Sequence, residues 1–280
     1  MTGTSTNTLA LAAPLAAVTG AEHVRALGDA VAVAPANSEE LAAILRFANT
    51  NHCSVAPWGG GTKQGWGNRV TAAIVLETHR LNQVREHTWQ DMTCTVEAGC
   101  TWASMQAALA QHGQRVGLDP LWPDHATVGG IVATNDSGAL RLRYGGLRDL
   151  IIGMTIVLAD GTVAKTGGKV VKNVAGYDLH KLMTGAFGTL GVITSVNFRL
   201  HSIPQSTQSF TFSAPAAEPP VGTPGPTCDA RCARLERGVF FLVLAISSGG
   251  CGPTENPGRP QRGRCRPADS RQWRSPRPPS

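Results

Sequence analysis

The sequence lacks the features that mark membrane-spanning, secreted or disordered proteins. Only 16% of its 280 residues are charged and 42% are hydrophobic, which is typical of a globular chain. No apolar run is long enough to span a bilayer. The N-terminus has a short apolar stretch without a preceding basic residue, so we expect no secretory signal.

The chain also lacks a recognisable disulfide or metal pattern. Its 7 cysteines are an odd number without a compact spacing, which predicts free thiols and a reducing compartment, the cytoplasm. Cys94 and Cys100 flank a predicted strand and are interpreted as small core residues. The 8 histidines form no closely spaced pair, and Cys228 and Cys232 have poor spacing for zinc. No metal site is predicted.

Lysine and hydrophobic periodicity are scarce in the last quarter of the chain. Of the net charge of +6, residues 1–210 contribute +1 (15 basic against 14 acidic) and residues 211–280 contribute +5 (10 against 5). Residues 211–280 also hold 12 of the 18 prolines and no lysine. This composition resembles a wrong reading frame of GC-rich DNA more than a nucleic-acid-binding arm. We interpret residues 206–280 as a truncated or frameshifted substrate-domain remnant, disordered apart from one apolar run at 239–248.

Two common nucleotide-binding motifs are missing as well. A dinucleotide fingerprint beginning at Gly59 would need glycine where Gln64 stands. A Walker loop would need Ser or Thr after Gly-Lys, but Val170 follows Lys169. The glycines therefore belong neither to a Rossmann fingerprint nor to a P-loop.

Strands and helices alternate irregularly along the first 200 residues. Apolar residues at helical spacing predict a helix in 35–53, capped by Asn37 with Glu40 three residues on. The other predicted elements are strands in 54–57, 72–78 and 92–99, a helix in 101–113 capped by Thr101, a hairpin in 150–168 turning at Asp160 and Gly161, a helix in 177–188 and a strand in 191–204. Without a steady βαβ rhythm, we predict an α+β fold.

Glycine and other small residues are concentrated in four segments. The first, 56–70, follows a predicted strand and contains Gly59, Gly60, Gly61, Gly65 and Gly67. The others lie in 126–138, 167–176 and 185–191. Adjacent glycines after a strand offer unobstructed backbone N–H groups that suit phosphate oxygens. A single cluster would indicate only a turn, but four together predict one long ligand that passes several backbone segments.

Three stretches resemble the FAD-binding domain of the p-cresol methylhydroxylase and vanillyl alcohol oxidase superfamily. They are PWGGGTK at 57–63, the run from Asp119 to Asp149, and KVVKNVAGYDLHKLMTGAFGTLGVIT at 169–194. Within that superfamily, the chain is most similar to the FAD-binding subunits of bacterial glycolate oxidases. The resemblance covers residues 25–205, after an N-terminal extension at 1–24, and implies two α+β subdomains that clasp FAD.

The resemblance also implies which residues contact FAD. The loop would wrap the pyrophosphate, the second stretch would follow the pyrophosphate, ribityl chain and flavin, and the third would border the adenine or flavin end. The implied cofactor-binding residues are Trp58, Gly59, Gly60, Gly61, Thr62, Lys63, Pro123, Asp124, Thr127, Gly129, Gly130, Thr134, Asn135, Gly138, Gly191, Val192 and Ile193. Many relatives hold FAD covalently through a histidine where this chain has Thr62, so we expect non-covalent FAD.

The resemblance further implies a component of a glycolate or other 2-hydroxy acid dehydrogenase. Its partners would be a catalytic flavoprotein subunit and an iron–sulfur subunit, which would also attach it peripherally to the inner membrane. The alternatives are a self-sufficient D-lactate-type dehydrogenase and a non-catalytic flavin-binding remnant. Catalytic residues stay unknown. The candidates are Arg141, Arg143, Tyr144, Arg148, Lys172 and Tyr177, although surface ion pairing is the commoner role of such charged side chains.

Overall fold

The computed structural model describes residues 8–68, 70–168 and 178–205, and three strands within 208–213, 233–235 and 239–244. Two sheets, each with its own buried apolar cluster, organise most of this chain. Among the described helices, none has the length and apolar character needed to cross a bilayer. Helices packed on mixed and antiparallel sheets confirm the predicted α+β class.

The first sheet has four strands in the order β1-β2-β4-β3. These strands are β1 (Val24–Leu27), β2 (Ala30–Val33), β3 (Val55–Trp58) and β4 (Ile74–Glu77). Strand β1 pairs antiparallel with β2, whereas β4 lies parallel to both β2 and β3. Helices α1 (Thr8–Thr19) and α2 (Ser38–Thr50) contribute apolar side chains to the core of this sheet.

The second sheet has five antiparallel strands in the order β5-β6-β10-β8-β9. These strands are β5 (Val84–Thr88), β6 (Thr93–Glu97), β8 (Ile151–Val157), β9 (Val163–Gly167) and β10 (Val192–Arg199). A short ladder joins β7 (Gln114–Arg115) to β11 (His201–Ser202). The remaining helices are α3 (Trp102–Ala110), α4 (Val128–Thr134), α5 (Arg141–Tyr144), α6 (Leu147–Leu150) and α7 (Leu179–Met183), and single 3₁₀ turns lie at Ala21–His23 and Trp89–Asp91.

Helix α2 forms as its sequence predicts. The Asn37 side chain accepts hydrogen bonds from the N–H groups of Glu39 and Glu40, which would otherwise lack partners in the first turn. The Glu40 carboxylate in turn accepts the N–H of Ala36 at 2.8 Å. Leu41, Ala42, Ile44, Leu45 and Ala48 are all buried. Local capping and helical spacing therefore agree with the tertiary packing.

The predicted hairpin and closing strand are also confirmed. Gly161 has φ = +81° at the turn between β8 and β9, a conformation that glycine adopts without a Cβ clash. In β10 and just beyond it, Val196, Phe198 and Leu200 are buried and alternate with partly exposed polar residues. This alternation puts the apolar side chains on the core face of the sheet.

Several elements depart from the sequence expectations, among them one helix near the N-terminus, one helix in a glycine-rich segment and two short strands. Residues 8–19, part of the predicted N-terminal extension, form α1, whose Leu11 and Leu15 are buried in the first core. Helix α4 lies in the glycine-rich segment where no helix was predicted, because Thr127 caps it and Val128, Ile131 and Val132 are buried. Strands β1 and β2 also lie where the sequence analysis assigned no element.

Three strands occur within residues 206–280, and one of them lies in the apolar run at 239–248. They are β12 (Gln208–Ser213), β13 (Ala233–Leu235) and β14 (Val239–Leu244). Strand β14 pairs antiparallel with both others. The branched and aromatic residues of β14 favour a strand, and pairing satisfies its backbone groups. The interpretation of residues 206–280 as a substrate-domain remnant stays a prediction.

Candidate cofactor-binding site

The glycine loop begins directly where β3 ends. Strand pairing holds its first residue, because the carbonyl of Trp58 accepts the N–H of Thr78 at 3.0 Å. The next four N–H groups, those of residues 59–62, donate no hydrogen bond to any other described residue. Four consecutive N–H donors without a protein acceptor can bind an anion.

At two positions, glycine is required by the neighbouring protein chain rather than by open space for a ligand. A Cβ added to Gly60 would lie 1.7 Å from the carbonyl oxygen of His125. One added to Gly59 would lie 2.2 Å from the Thr127 hydroxyl. By contrast, Gly65 has no atom within 4 Å of its ideal Cβ position. The sequence suggests that these glycines leave room for a ligand. That explanation is incomplete, because Gly59 and Gly60 also allow the loop to pack against the segment 125–127.

The start of α4 lies against this loop. The Thr127 hydroxyl caps the helix by accepting the N–H of Gly130 at 3.4 Å. The N–H of Gly129 is already used, since it donates to the carbonyl of Ala98 at 2.7 Å, and a Cβ at Gly129 would lie 2.8 Å from that of Ala98. Gly129 thus has a packing role within the protein.

The end of α4 and the following turn are shaped by local hydrogen bonds. The Thr134 hydroxyl donates to the carbonyl of Gly130 at 2.8 Å, and Asn135 ends the helix with φ = +53°. Gly138 has φ = +61°, and a Cβ there would lie 2.1 Å from the carbonyl oxygen of Asp119. Pro123 and Asp124 are exposed.

The segment 185–193 contacts both α4 and the residue that precedes the glycine loop. The N–H groups of Gly185 and Phe187 donate to the carbonyls of Val132 and Ala133 in α4. A Cβ at Gly188 would lie 3.2 Å from the Pro57 ring, just before the glycine loop. Three of the four small-residue segments therefore meet at one place. The fourth, with Lys172 and Tyr177, falls mainly in 169–177 and lies outside the described residues.

A cavity of about 250 Å³ opens beside this junction. Its walls come from the end of α2, from β3 and from the start of β10. They include Leu45, Ala48, Val55, Pro57, Gly191 and Val192. Cys53 also lines it, and Asn49 adds an amide. Apolar side chains beside polar groups suit a flat heterocycle with polar edges.

Lys63, which ends the loop, is buried against an acidic residue that sequence reasoning missed. Its ammonium lies 3.2 Å from the carboxylate of Asp136, and both side chains are only 6% exposed. The indole rings of Trp66 and Trp122 each lie 5.8 Å from the same ammonium. The only sequence signal for this pair was an acidic residue, Asp136, among the small residues of 126–138. Nothing near it in the sequence indicated that its partner is Lys63.

The described catalytic candidates mainly contact other protein groups. Arg148 donates to the carbonyl of Thr184 at 3.1 Å, and the Tyr144 hydroxyl accepts a hydrogen bond from Arg115 at 2.9 Å. Arg143 lies over the Tyr144 ring at 5.5 Å, and Arg141 is exposed. For Tyr144 and Arg148, these contacts provide a role that needs no substrate.

Buried titratable groups near the site are poor nucleophiles or acids. Burial raises the pKa of the Cys94 thiol to about 12, and burial with the charge of Glu97 raises the pKa of Cys100. Both thiols are core residues, as the sequence predicts. Burial also lowers the pKa of His180, against the opposing charge of Asp178.

Comparison with known proteins identifies the domain that carries two of the three segments of this junction, the glycine loop and α4. The family described as FAD binding domain matches residues 30–167, which include the glycine loop, α4 and Asp136. Residues 30–167 form an FAD-binding domain. This FAD-binding domain also fits its cofactor chemically, since the loop offers four N–H donors for a pyrophosphate.

Two full-length relatives and one solved structure show how far the similarity extends. The chain is 37% identical over 176 residues to a mitochondrial D-lactate dehydrogenase (cytochrome) of Arabidopsis thaliana, covering 62% of this chain and 31% of the relative. It is 36% identical over 183 residues to glycolate oxidase subunit GlcD of Bacillus subtilis, covering 65% of this chain and 39% of the relative. The 4-ethylphenol oxidase of Gulosibacter chungangensis shares the fold, with a TM-score of 0.63 and 22% identity. The match covers 76% of this chain and 46% of the oxidase chain. The chain thus spans roughly a third of these relatives' own length.

Proposed function

We propose that this chain is the FAD-binding component of a glycolate or other 2-hydroxy acid dehydrogenase. The observation that carries the proposal is the row of free N–H groups at 59–62 within an FAD-binding domain. The pyrophosphate would lie against these groups and the capped start of α4. The remaining predicted contacts, from Pro123 to Gly138 and from Gly191 to Ile193, would follow the rest of the cofactor.

The cavity beside Pro57 supports a position for the adenine. Its volume of about 250 Å³ is adequate for a purine ring, and it begins where β3 enters the glycine loop. Residues Gly191 and Val192 border it, as expected of the adenine or flavin end. The nearby Asn49 amide would provide polar recognition of the base edge.

FAD, when bound, supplies an acceptor for a hydride, that is, for two electrons and one proton. Oxidation of a 2-hydroxy acid also needs a base for the hydroxyl proton and a cation for the carboxylate. The described candidates Tyr144 and Arg148 already contact protein groups. We therefore assign this chain the role of holding FAD and relaying electrons, together with a catalytic flavoprotein and an iron–sulfur subunit.

An absorbance spectrum of the purified chain, before and after denaturation, tests the cofactor proposal. Flavin bands that pass into the filtrate after denaturation are expected, since Thr62 offers no covalent attachment. Bands that stay with the protein would contradict non-covalent binding. A preparation that takes up no FAD even when FAD is added would refute the cofactor proposal.

The similarity to D-lactate dehydrogenase favours a second candidate, a dehydrogenase that acts without partner subunits. Anaerobic addition of D-lactate or glycolate to the FAD-loaded chain separates the two. Bleaching of the flavin band by substrate alone would support the self-sufficient enzyme. Bleaching only after the partner subunits are added would support the relay component.

A further inference from the structure

We propose that Lys63 and Asp136 are positioning residues that hold the glycine loop in its FAD-binding conformation before FAD arrives. This inference rests on the proposed position of the pyrophosphate at 59–62. It gives Lys63 a different role from a direct phosphate ligand, and it gives Asp136 a role in cofactor binding.

The ion pair connects two segments that are distant in sequence. Lys63 ends the loop, and Asp136 follows α4. The Asp136 carboxylate also accepts the N–H of Leu121 at 2.9 Å, so it has a second fixed partner. An acid held in this way offers a defined anchor for the ammonium.

Each segment also contributes one indole to cover the pair. Trp66 lies three residues after Lys63, and its N–H donates to the carbonyl of Lys63 at 3.0 Å. Trp122 comes from the facing segment and has φ = +52°, an unusual backbone conformation for a bulky residue. Such a conformation persists only where the surrounding structure holds it.

The burial of Lys63 indicates whether it is a direct phosphate ligand or a positioning residue. A phosphate ligand is expected to be accessible until the phosphate binds. Here the protein leaves only 6% of the Lys63 side chain exposed and places a carboxylate 3.2 Å from the ammonium. A buried charge needs such a partner, and removing one member leaves the other unpaired.

The pair matters for binding because glycine backbones are flexible. The loop is anchored at its start by the pairing of Trp58 with Thr78, and the ion pair anchors its end. Between the two anchors lie three glycines, whose backbones have more conformational freedom than other residues, although Gly59 and Gly60 also pack against the segment 125–127. Fixing both ends reduces the ordering cost that FAD binding must overcome.

Lysine labelling of the wild-type chain tests the pair without any substitution. Limited acetylation with acetic anhydride, followed by peptide mass spectrometry, is carried out on the apoprotein and on the FAD-loaded chain. We expect Lys63 to be at least tenfold less reactive than Lys181 in both states. Lys181 is a matched reference because it forms an exposed pair with Asp178. A Lys63 that reacts readily in the apoprotein and is protected only by FAD would overturn the proposal.

Substitutions test the effect on affinity. Asp136→Asn retains an acceptor for Leu121 but removes the charge, and we expect it to raise the Kd for FAD at least tenfold, as Lys63→Met does. The Kd of the double variant should not exceed that of the single variant with the higher Kd. Lys63→Arg should retain most of the affinity for FAD. Lys181→Met is the control and should leave Kd unchanged.

Two results of this titration would refute the role of the pair. One is an unchanged or lower Kd for Asp136→Asn while Lys63→Met raises it, because that pattern describes a direct phosphate ligand. The other is a lower Tm of the Asp136→Asn apoprotein with unchanged Kd well below that Tm, because that describes a purely structural pair. If the wild-type chain binds no FAD, the proposed function fails, and labelling of the apoprotein still tests whether the pair is buried.

Discussion

Replacing Gly60 with alanine is expected to damage the glycine loop far more than the same change at Gly65. The added Cβ at position 60 would lie 1.7 Å from the carbonyl oxygen of His125. Non-bonded heavy atoms normally lie about 3.5 Å apart, so the two segments must separate by roughly 1.8 Å. The atom in contact belongs to the backbone and cannot rotate away as a side chain can.

The magnitude follows from the usual cost of overpacking. Inserting a methyl group into a packed site costs about 1–3 kcal/mol, and an obstructing backbone atom puts Gly60→Ala near 3 kcal/mol. If the cost falls on folding, the Tm of the apoprotein should drop by about 6–12 °C. If the loop moves aside instead, the cost falls on FAD binding and Kd should rise about 100-fold.

Thermal unfolding of the apoprotein measures the part of the free-energy cost that falls on folding, and FAD titration measures the part that falls on binding. Together they give the total cost of Gly60→Ala. Gly65→Ala is the control in the same loop, because no atom lies within 4 Å of its Cβ position. Its effect should stay within about 0.5 kcal/mol. If Gly60→Ala matched Gly65→Ala in both measurements, the close approach to His125 would not exist in solution.

Three further predictions concern the helix cap, the thiols and a buried histidine. Asn37→Ala removes the cap of α2 and should destabilise the chain by about 1 kcal/mol, seen as a lower denaturation midpoint; an unchanged midpoint would contradict the capping role. With their pKa values raised by burial, Cys94 and Cys100 should resist iodoacetamide at pH 8, whereas Cys53 should react and be protected by FAD, as peptide mapping would report. Equal labelling of Cys53 with and without FAD would argue against adenine in the cavity. Burial lowers the folded pKa of His180 below its unfolded value of 6.5, so the unfolded chain binds more protons and stability should fall as pH drops below about 6.5. His180→Gln should flatten that part of the Tm profile, and an unchanged profile would exclude His180 as its source.

Features within a few residues of one another could be predicted from the sequence. The cap at Asn37, the turn at Asp160 and Gly161, and the alternation around Phe198 each depend on local spacing and appear as expected. Helix α4 was missed because Gly129 and Gly130 lower helix propensity. Its stability comes from a cap and from burial against distant strands.

The sequence by itself determined the α+β class, the glycine loop at the end of a strand, and the helices and strands with a clear local pattern, such as α2, β8, β9 and β10. These depend on local backbone preference and hydrophobic period. Only the tertiary structure decided that Gly60 faces His125 and that Lys63 is paired with Asp136. Both contacts join segments far apart in the chain, and their energies depend on close packing and on exclusion of water. No local pattern encodes that geometry, because it arises only when the two segments meet.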